Sequence, residues 1–374
     1  MPSLTSKIKR RVAKVPRKIE DWYRAGYIRN KILASKSRDK TEQFVAGGNR
    51  YIVFLVRGRD IVNGGTMSIC SIATETQRLL GKNSIRVTLA TAAFEPRMLR
   101  FTKFENDHDI LAFDDMLPRF PRGAEVVVHI PELQVRRFVA DQPSTYTSRP
   151  DIKWRFNILL QNIDQIPSKE LVDAVKRLGP TTATVAHEAY ATPATAERLG
   201  CPVHFLSWRL SPEGFERVGY AQKKKLIVIS PDQDPAKAEI VQLMKRVLPD
   251  HDIVQVRNMT YQQYLDLIKF AKFGFTFGEG LDAYFIEPVF FGGVSMAIYN
   301  ERFFTEEYRR LDGVFPRETV LSSVENFLKL AGDEAAYTEV ANRQYDLLAS
   351  KYNRDAYQKN IHTFYAKYFP DLYS

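Results

Sequence analysis

The sequence has few cysteines, no long apolar run and no low-complexity segment. Its two cysteines, Cys70 and Cys201, are too few for a disulfide framework and do not have the spacing of a zinc site. No apolar stretch reaches the roughly 18 residues of a membrane-spanning helix, and the basic N-terminus lacks the apolar core of a signal peptide. These absences exclude a disulfide-rich secreted domain and a membrane-spanning protein, and we expect a chain of the reducing cytoplasm.

Positive charge is concentrated at one end of the chain. Residues 1–50 contain 14 Lys or Arg and 4 Asp or Glu, so they carry the whole net charge of +10. Apolar residues recur there at steps of three and four, at Ile8, Val12, Val15, Ile19 and Trp22. The pattern predicts a basic amphipathic arm over residues 1–45 that lies on an anionic membrane surface. A solvated arm, or one packed on the body, is the alternative. Nucleic-acid binding is disfavoured because the remaining residues are neutral overall.

The body opens with a strand, a glycine-rich turn, a helix and a second strand. Tyr51–Val56 has the continuous apolar character of a buried strand, Met67–Leu80 has helical spacing, and Ile85–Leu89 is again a strand. Gly64 and Gly65 lie in the turn, where backbone N–H groups suit a phosphate, although a tight turn alone also explains two glycines. The segment is therefore one βαβ unit of an α/β domain.

The chain is long enough for two domains of ordinary size. A segment with Pro212 and Gly214 predicts a domain boundary, and the strand Leu226–Ile229 begins a second series of alternating strands and helices. We therefore predict domains over residues 46–211 and 212–350. Past them, aromatic residues at helical spacing predict helices over residues 345–357 and 358–368.

The stretch Phe275–Gly293 reads FTFGEGLDAYFIEPVFFGG and is the most informative in the chain. An apolar strand ends in a turn with two glycines, and a short helix follows. Ligands of open α/β sheets bind at the carboxyl ends of strands, and a helix N-terminus favours a phosphate. Glu279, in the turn, would then face the reacting centre. Glu287, eight residues later, would reach diol hydroxyls such as those of a ribose.

This stretch resembles the Glu-x7-Glu motif of retaining GT-B glycosyltransferases, which has the form EGFGL-x3-EA-x3-G. The matching positions are Glu279, Gly280, Leu281, Glu287 and Gly292 or Gly293. The first βαβ unit resembles the opening of the same family, so the resemblance falls in both halves. It implies an α/β fold with two Rossmann-like domains facing a cleft. It also implies a C-terminal helix, within residues 351–374, that crosses back onto the N-terminal domain.

The resemblance further implies roles for individual residues. Glu279 would be catalytic, positioning the sugar and stabilising positive charge as the anomeric bond loosens. The donor would be bound by Gly280, Leu281, Glu287, Gly64 and Gly65. Because helix N-termini and basic side chains would take the phosphate charge, neither a metal nor a cofactor is expected.

One feature of the family is missing. Relatives carry an arginine and a lysine just after the first strand of the second domain, where they bind the donor diphosphate. Here that loop contains Lys237 but no arginine. Two phosphate charges in a partly dry cleft need neutralising, so we expect Arg257, or Arg57 and Arg59 from across the cleft, to assist Lys237.

Two histidines are candidates for the acceptor site. His129 lies near the end of the strand EVVVHI, where the family often places a histidine beside a sugar, and His187 directly follows another strand. A strand histidine is more often a structural hydrogen-bonding residue, so this alternative stays open for His129.

These patterns predict a glycosyltransferase that moves a sugar from a nucleotide-sugar to a glycan or lipid-linked acceptor. The arm would hold it on the cytoplasmic face of a membrane, which suggests surface polysaccharide biosynthesis. A nucleotide-sugar epimerase of the same fold, or a non-catalytic protein that binds nucleotide or glycan, is the alternative. An epimerase would leave the arm without a purpose, whereas the missing arginine favours the non-catalytic reading.

Overall fold

The computed structural model describes residues 32–61, 63–81, 84–104, 106, 108–141, 148–207 and 210–372. The first half forms a seven-stranded sheet with the strand order β3-β2-β1-β4-β5-β6-β7, in which neighbouring strands are parallel. Its strands are Arg50–Val56 (β1), Ile85–Thr91 (β2), Ile110–Ala112 (β3), Glu125–Pro131 (β4), Lys153–Leu160 (β5), Thr181–Val185 (β6) and Val203–Phe205 (β7).

The second half forms a five-stranded sheet with the order β12-β11-β10-β8-β9, again with parallel neighbours. Its strands are Lys224–Ile229 (β8), Asp252–Gln255 (β9), Ala271–Thr276 (β10), Val294–Ile298 (β11) and Val314–Phe315 (β12). The two sheets with their helices confirm the predicted α/β fold of two Rossmann-like halves.

Helices connect the strands and cover both sheets. The first, α1, spans residues 32–45. The others are Gly64–Leu80 (α2), Phe113–Met116 (α3), Glu132–Asp141 (α4), Lys169–Lys176 (α5), Pro193–Leu199 (α6), Lys237–Val247 (α7), Tyr261–Lys269 (α8), Ala283–Phe290 (α9), Val320–Phe327 (α10), Glu334–Lys351 (α11) and Arg354–Tyr368 (α12). In the described part of the chain, no helix combines the length and apolar character needed to cross a bilayer.

Strand β1 shows how the sequence produces this layering. Parallel sheets are covered on both faces, so their strands are continuously apolar. Every residue from Tyr51 to Val56 is buried. Because side chains alternate along a strand, Val53 packs into the core on one face and Phe54 into the core on the other. One strand thus contributes to two cores, and its burial stabilises both layers.

Helix α12 returns from the second half to the first sheet. Asn353 caps it by accepting a hydrogen bond from the Ala356 backbone N–H at 2.8 Å. Its inner face packs in the same core as Phe54 through Tyr357, Ile361, Phe364 and Tyr365. The predicted return of the C-terminal helix to the N-terminal half is confirmed, and α12 together with α2 covers one face of the first sheet.

The predicted arm lies only partly within the described residues. Residues 32–45 form α1, which packs on the first half and buries Ser37, Thr41 and Val45. Glu42 on the same helix accepts a 3.0 Å bond from Arg119. This part of the arm is therefore attached to the body, and residues 1–31 lie outside the described residues.

We expect the packing of α12 to matter for stability. Replacing Phe364, which is fully buried, with Ala should lower the free energy of unfolding by about 3–5 kcal/mol, since it removes apolar burial and leaves a cavity. Lys359→Ala on the exposed face of the same helix is the matched control, with an expected change within about 0.5 kcal/mol. Urea denaturation measures both, and equal effects would mean that α12 is only loosely attached.

Candidate active site

A cavity of about 470 Å³ lies between the two halves, at the carboxyl ends of their strands. Residues that follow strands of the first sheet form one wall, among them Gly64, Gly65, Glu132, Gln161, Asn162 and His187. Residues that follow β8 and β10 form the other wall, among them Asp232, Gly278, Glu279, Leu281, Asp282 and Tyr284. The glycine turn and the Glu279 stretch, about two hundred residues apart in sequence, thus face the same cleft.

The turn after β10 has the predicted strand–glycine–helix form. Gly278 and Gly280 have φ values of +73° and +82°, a region that side chains other than glycine rarely adopt. At Gly280 a Cβ atom would also lie 2.5 Å from the ring of Phe304, so this position tolerates only glycine. Asp282 then caps α9, accepting from the Phe285 backbone N–H at 3.2 Å. The turn directs Glu279 and Leu281 towards the cavity, whereas Gly280 packs behind them.

Glu279 and His187 meet across the cleft. Oε2 of Glu279 lies 3.4 Å from Nε2 of His187, and the two side chains keep 38% and 11% of their surface exposed. The ring of Phe303 contacts His187 edge-on, with 5.0 Å between ring centroids. The residue predicted to be catalytic and one predicted to bind the acceptor are therefore in contact in the cavity.

Glu287 points away from the cleft. Its side chain is fully buried, and its Oε1 accepts a 2.5 Å hydrogen bond from the hydroxyl of Tyr261 on α8. Burial raises the pKa of Glu287 to about 7, although the bond from Tyr261 opposes the shift. This geometry argues against the ribose-binding role predicted for Glu287, because its carboxylate faces the packing between α8 and α9.

His129 is also a core residue. It has no exposed surface, and its ring stacks on Phe54 with 4.0 Å between centroids. Its Nδ1 lies 3.0 Å from the amide nitrogen of Asn157, and its Nε2 lies 2.9 Å from the hydroxyl of Tyr365 on α12. Burial lowers the pKa of His129 to about 3, so the ring is neutral. The acceptor-binding prediction for His129 needs correction: the ring ties α12 to the first sheet.

The two predicted phosphate-binding cations, Lys237 and Arg257, do not line the cavity. Lys237 donates to the backbone carbonyls of Ser230 and Asp232 at 2.8 and 2.6 Å, which holds the loop after β8. Arg257 follows β9 and is exposed. Burial is the main cause that lowers the pKa of Lys237, and the positive charge of Arg257 lowers it further. Among the residues that the structure describes, no Lys or Arg side chain lines the cavity. The donor-binding predictions for Lys237 and Arg257 do not match this arrangement.

Gly64 and Gly65 do line the cavity, as predicted for the first βαβ turn. They form the first residues of α2, which Asn63 caps by accepting from the Thr66 N–H at 2.8 Å. A Cβ atom at Gly64 would meet nothing within 4 Å, so the backbone there is open to the cavity. The N-termini of α2 and α9 therefore approach the cleft from opposite sides.

Three further carboxyl groups lie in the cleft, and none of them was predicted from the sequence as a site residue. Glu132 starts α4, Asp232 follows β8 and Asp282 caps α9. Burial raises the pKa of Asp232, and nearby Glu279 raises it further. Burial also raises the pKa of Asp282 well above its usual range, with Asp232 and Glu279 adding to the shift. The signal available was positional, because each follows a strand directly or within a few residues.

Among the residues that the structure describes, no group of three or more His, Cys, Asp or Glu side chains is arranged to hold a metal ion.

Comparisons with known proteins support the fold. No protein-family model and no curated protein matches the chain. Among solved structures, Anabaena HepE in complex with UDP and glucose has a TM-score of 0.57 at 9% identity, covering 84% of this chain and 99% of HepE. A variant of S. aureus TarM bound to Fondaparinux, alpha-GlcNAc-glycerol and UDP has a TM-score of 0.60 at 7% identity, covering 87% and 100%.

A third similar structure is an alpha-glucosyltransferase in complex with UDP and a 13-mer DNA containing an HMU base. Its TM-score is 0.54 at 11% identity, with 87% of this chain and 100% of that chain covered. These neighbours are GT-B glycosyltransferases. The chain therefore has the GT-B fold, and the resemblance predicted from its two motifs is confirmed at that level.

The burial of Glu287 has a measurable consequence for stability. Since its pKa is raised from 4.5 to about 7, the protonated form stabilises the fold at low pH. That contribution is lost as the pH rises through 7. Glu287→Gln cannot ionise and keeps the acceptor oxygen for Tyr261. Between pH 5 and 8.5 the free energy of unfolding of the wild type should therefore fall by about 2–3 kcal/mol through this group, and that of the variant should not.

Urea denaturation across this pH range measures the difference. Glu239→Gln, an exposed position on α7, is the control and should keep the pH dependence of the wild type. If Glu287→Gln also kept it, the carboxylate would be hydrated and reachable from the cleft, and the ribose-binding role would regain support.

Proposed function

We propose that this chain is a glycosyltransferase that transfers a sugar from a nucleotide-sugar to a glycan or lipid-linked acceptor. The observation that carries the proposal is the meeting of Glu279 and His187 at the centre of a cleft between two Rossmann-like halves. An anionic and an ionisable aromatic side chain, one from each half, suit a reaction in which two substrates bind on opposite sides.

The reaction places positive charge where Glu279 lies. As the bond from the anomeric carbon to the phosphate oxygen breaks, its electron pair leaves with the nucleoside diphosphate, and the sugar acquires oxocarbenium character. A fixed carboxylate beside the ring stabilises that charge more in the transition state than in the ground state. His187, from the opposite wall, then contacts the incoming acceptor or a sugar hydroxyl.

The diphosphate leaving group would lie between the N-termini of α2 and α9. Both helices present backbone N–H groups and the positive end of their dipoles to the cavity. Gly64 and Leu281 mark the two sides. We propose that this arrangement, rather than a metal ion, takes the phosphate charge, and that the sugar keeps its anomeric configuration as in the retaining enzymes the motif resembles.

The acceptor and location follow from the basic arm. We propose that residues 1–31, with ten Lys or Arg and two Asp or Glu, bind an anionic membrane surface. A transferase held there meets lipid-linked glycans as they are built. Surface polysaccharide biosynthesis is the process that this combination fits best.

Replacing Glu279 with Gln tests the mechanism. The amide keeps the shape of the side chain, so the donor should still bind and raise the melting temperature. Turnover should fall about 100-fold or more, since a neutral amide cannot stabilise oxocarbenium-like charge. The assay is release of nucleoside diphosphate from a panel of UDP-, GDP-, dTDP-, CDP- and ADP-glucose, with and without a lipid-linked glycan extract.

The controls separate the alternatives. Glu239→Gln, on the exposed face of α7, should behave as wild type. Sugar conversion without any acceptor would indicate an epimerase, and donor binding without turnover in any protein would indicate a non-catalytic binding protein. Wild-type turnover by Glu279→Gln would remove Glu279 from the mechanism.

The arm can be tested by deletion. Removing residues 1–31 leaves α1 and its buried contacts in place, so the body should fold and the donor-induced thermal shift should stay unchanged. Affinity for vesicles containing phosphatidylserine should drop at least about tenfold, because each basic residue near such a surface contributes about 1 kcal/mol. Vesicles of phosphatidylcholine alone are the control. Equal sedimentation of both proteins with anionic vesicles would contradict membrane binding by the arm.

A further inference from the structure

Glu132 is a buried carboxyl group that faces the cleft. It is the first residue of α4, directly after β4, and only 7% of its surface is exposed. Its Oε2 accepts from the Gln161 backbone N–H at 3.1 Å and its Oε1 from the Asn162 N–H at 3.2 Å. Two backbone donors from the neighbouring strand end thus hold the carboxyl group in one orientation.

The surroundings place it on the acceptor wall. A Cβ atom at Gly65 would lie 3.7 Å from the side chain of Gln161, so the glycine turn and the residues that hold Glu132 form one continuous surface. Glu132 itself lines the cavity. Of the two glutamates on this wall, Glu188 is exposed, whereas Glu132 is buried. A carboxylate offers about four acceptor sites, so its contacts with the two backbone N–H groups leave capacity on the cavity side.

We propose that Glu132 is a catalytic residue that binds the reacting hydroxyl of the acceptor and takes its proton. This inference rests on the proposed function and names the base of the same site.

The transfer step then balances without another reagent. The acceptor oxygen forms a bond to the anomeric carbon on the face from which the nucleoside diphosphate leaves, so the configuration is retained. The bond from that carbon to the phosphate oxygen breaks. Its electron pair leaves with the nucleoside diphosphate, and the acceptor proton moves to a carboxylate oxygen of Glu132 and from there to solvent. Glu279 lies beside the sugar and takes no part in this proton transfer, so the two glutamates have separate tasks.

Burial supports this role. It raises the pKa of Glu132 to about 7, opposed by the backbone N–H groups of Gln161, Glu132 itself and Asn162. A base with a pKa near the working pH is efficient. The other ionisable groups around the cavity are His187, Glu188, Asp232, Glu279 and Asp282, together with the tyrosines Tyr284, Tyr308 and Tyr352. Because the carboxylate is the base, activity should rise as the pH rises through 7.

The experiment compares Glu132→Gln with wild type, using whichever of the five nucleotide-glucoses gives the largest thermal shift and a lipid-linked glycan extract as acceptor. We expect kcat to fall about 100-fold, with unchanged donor-induced thermal shift, and the rise of kcat around pH 7 to disappear. In Glu132→Ala, sodium formate, a small carboxylate that fits the vacated space, should restore part of the activity. Glu125→Gln, at the opposite end of β4 and paired with Lys153, is the control and should keep wild-type kcat and pH profile.

Each outcome is decisive. If wild type transfers sugar and Glu132→Gln retains its rate and pH profile, Glu132 is a structural residue and the proposed function stands. Glu132→Gln could instead be slow while its kcat still rises around pH 7, and formate could fail to restore activity in Glu132→Ala. Glu132 would then only position other groups, and its role as the base would be wrong. If wild type shows no transfer with any of the five donors, the proposed function and this inference fall together.

Discussion

Every neighbouring pair of strands in both sheets is parallel, and this arrangement determines where chemistry can occur. Two parallel strands are joined by a crossover that runs from the carboxyl end of one strand back to the amino end of the other. The segments that follow the strands therefore all start at the same end of each sheet. In this chain those segments carry Gly64, Glu132, His187, Asp232 and Glu279. Helix α12 then fixes the two halves together, because its inner face completes a core of the first sheet. The cleft is thus a consequence of strand direction, and its shape depends on one returning helix.

Local chemistry made the fold and the glycine turn predictable from the sequence. Certain residue types mark these features in the sequence. Glycine marks a turn with positive φ, as at Gly278 and Gly280, and aspartate marks the start of a helix, as at Asp282. The break between α11 and α12 left a similar signal at Asn353, but the continuous aromatic spacing led to helices predicted over residues 345–357 and 358–368. The structure instead ends α11 at Lys351 and begins α12 at Arg354.

The direction in which a side chain points was harder to predict. Helix α9 reads AYFIEPVF, so it is apolar on nearly all sides and has no polar face to orient Glu287. Tertiary packing decides instead, and it turns Glu287 towards Tyr261. His129 lies in a strand that is buried on both faces, where alternation gives no information about access to a ligand. In both cases the spacing of residues along the chain located the element correctly and left its rotation undetermined.

The acidity of the cleft places a condition on how an anionic donor binds. A diphosphate at the N-terminus of α9 would lie beside Asp282 and Asp232, and two ionised carboxylates there would repel it. Burial already raises the pKa of both groups, which shifts each of them towards the neutral acid. A protonated carboxyl group can donate a hydrogen bond, whereas a carboxylate can only accept one. In the proposed function, phosphate charge would raise these pKa values further, and donor binding and protonation would favour each other. A wall of buried acids can thus accept a phosphate where relatives use an arginine, provided that its protons stay in place.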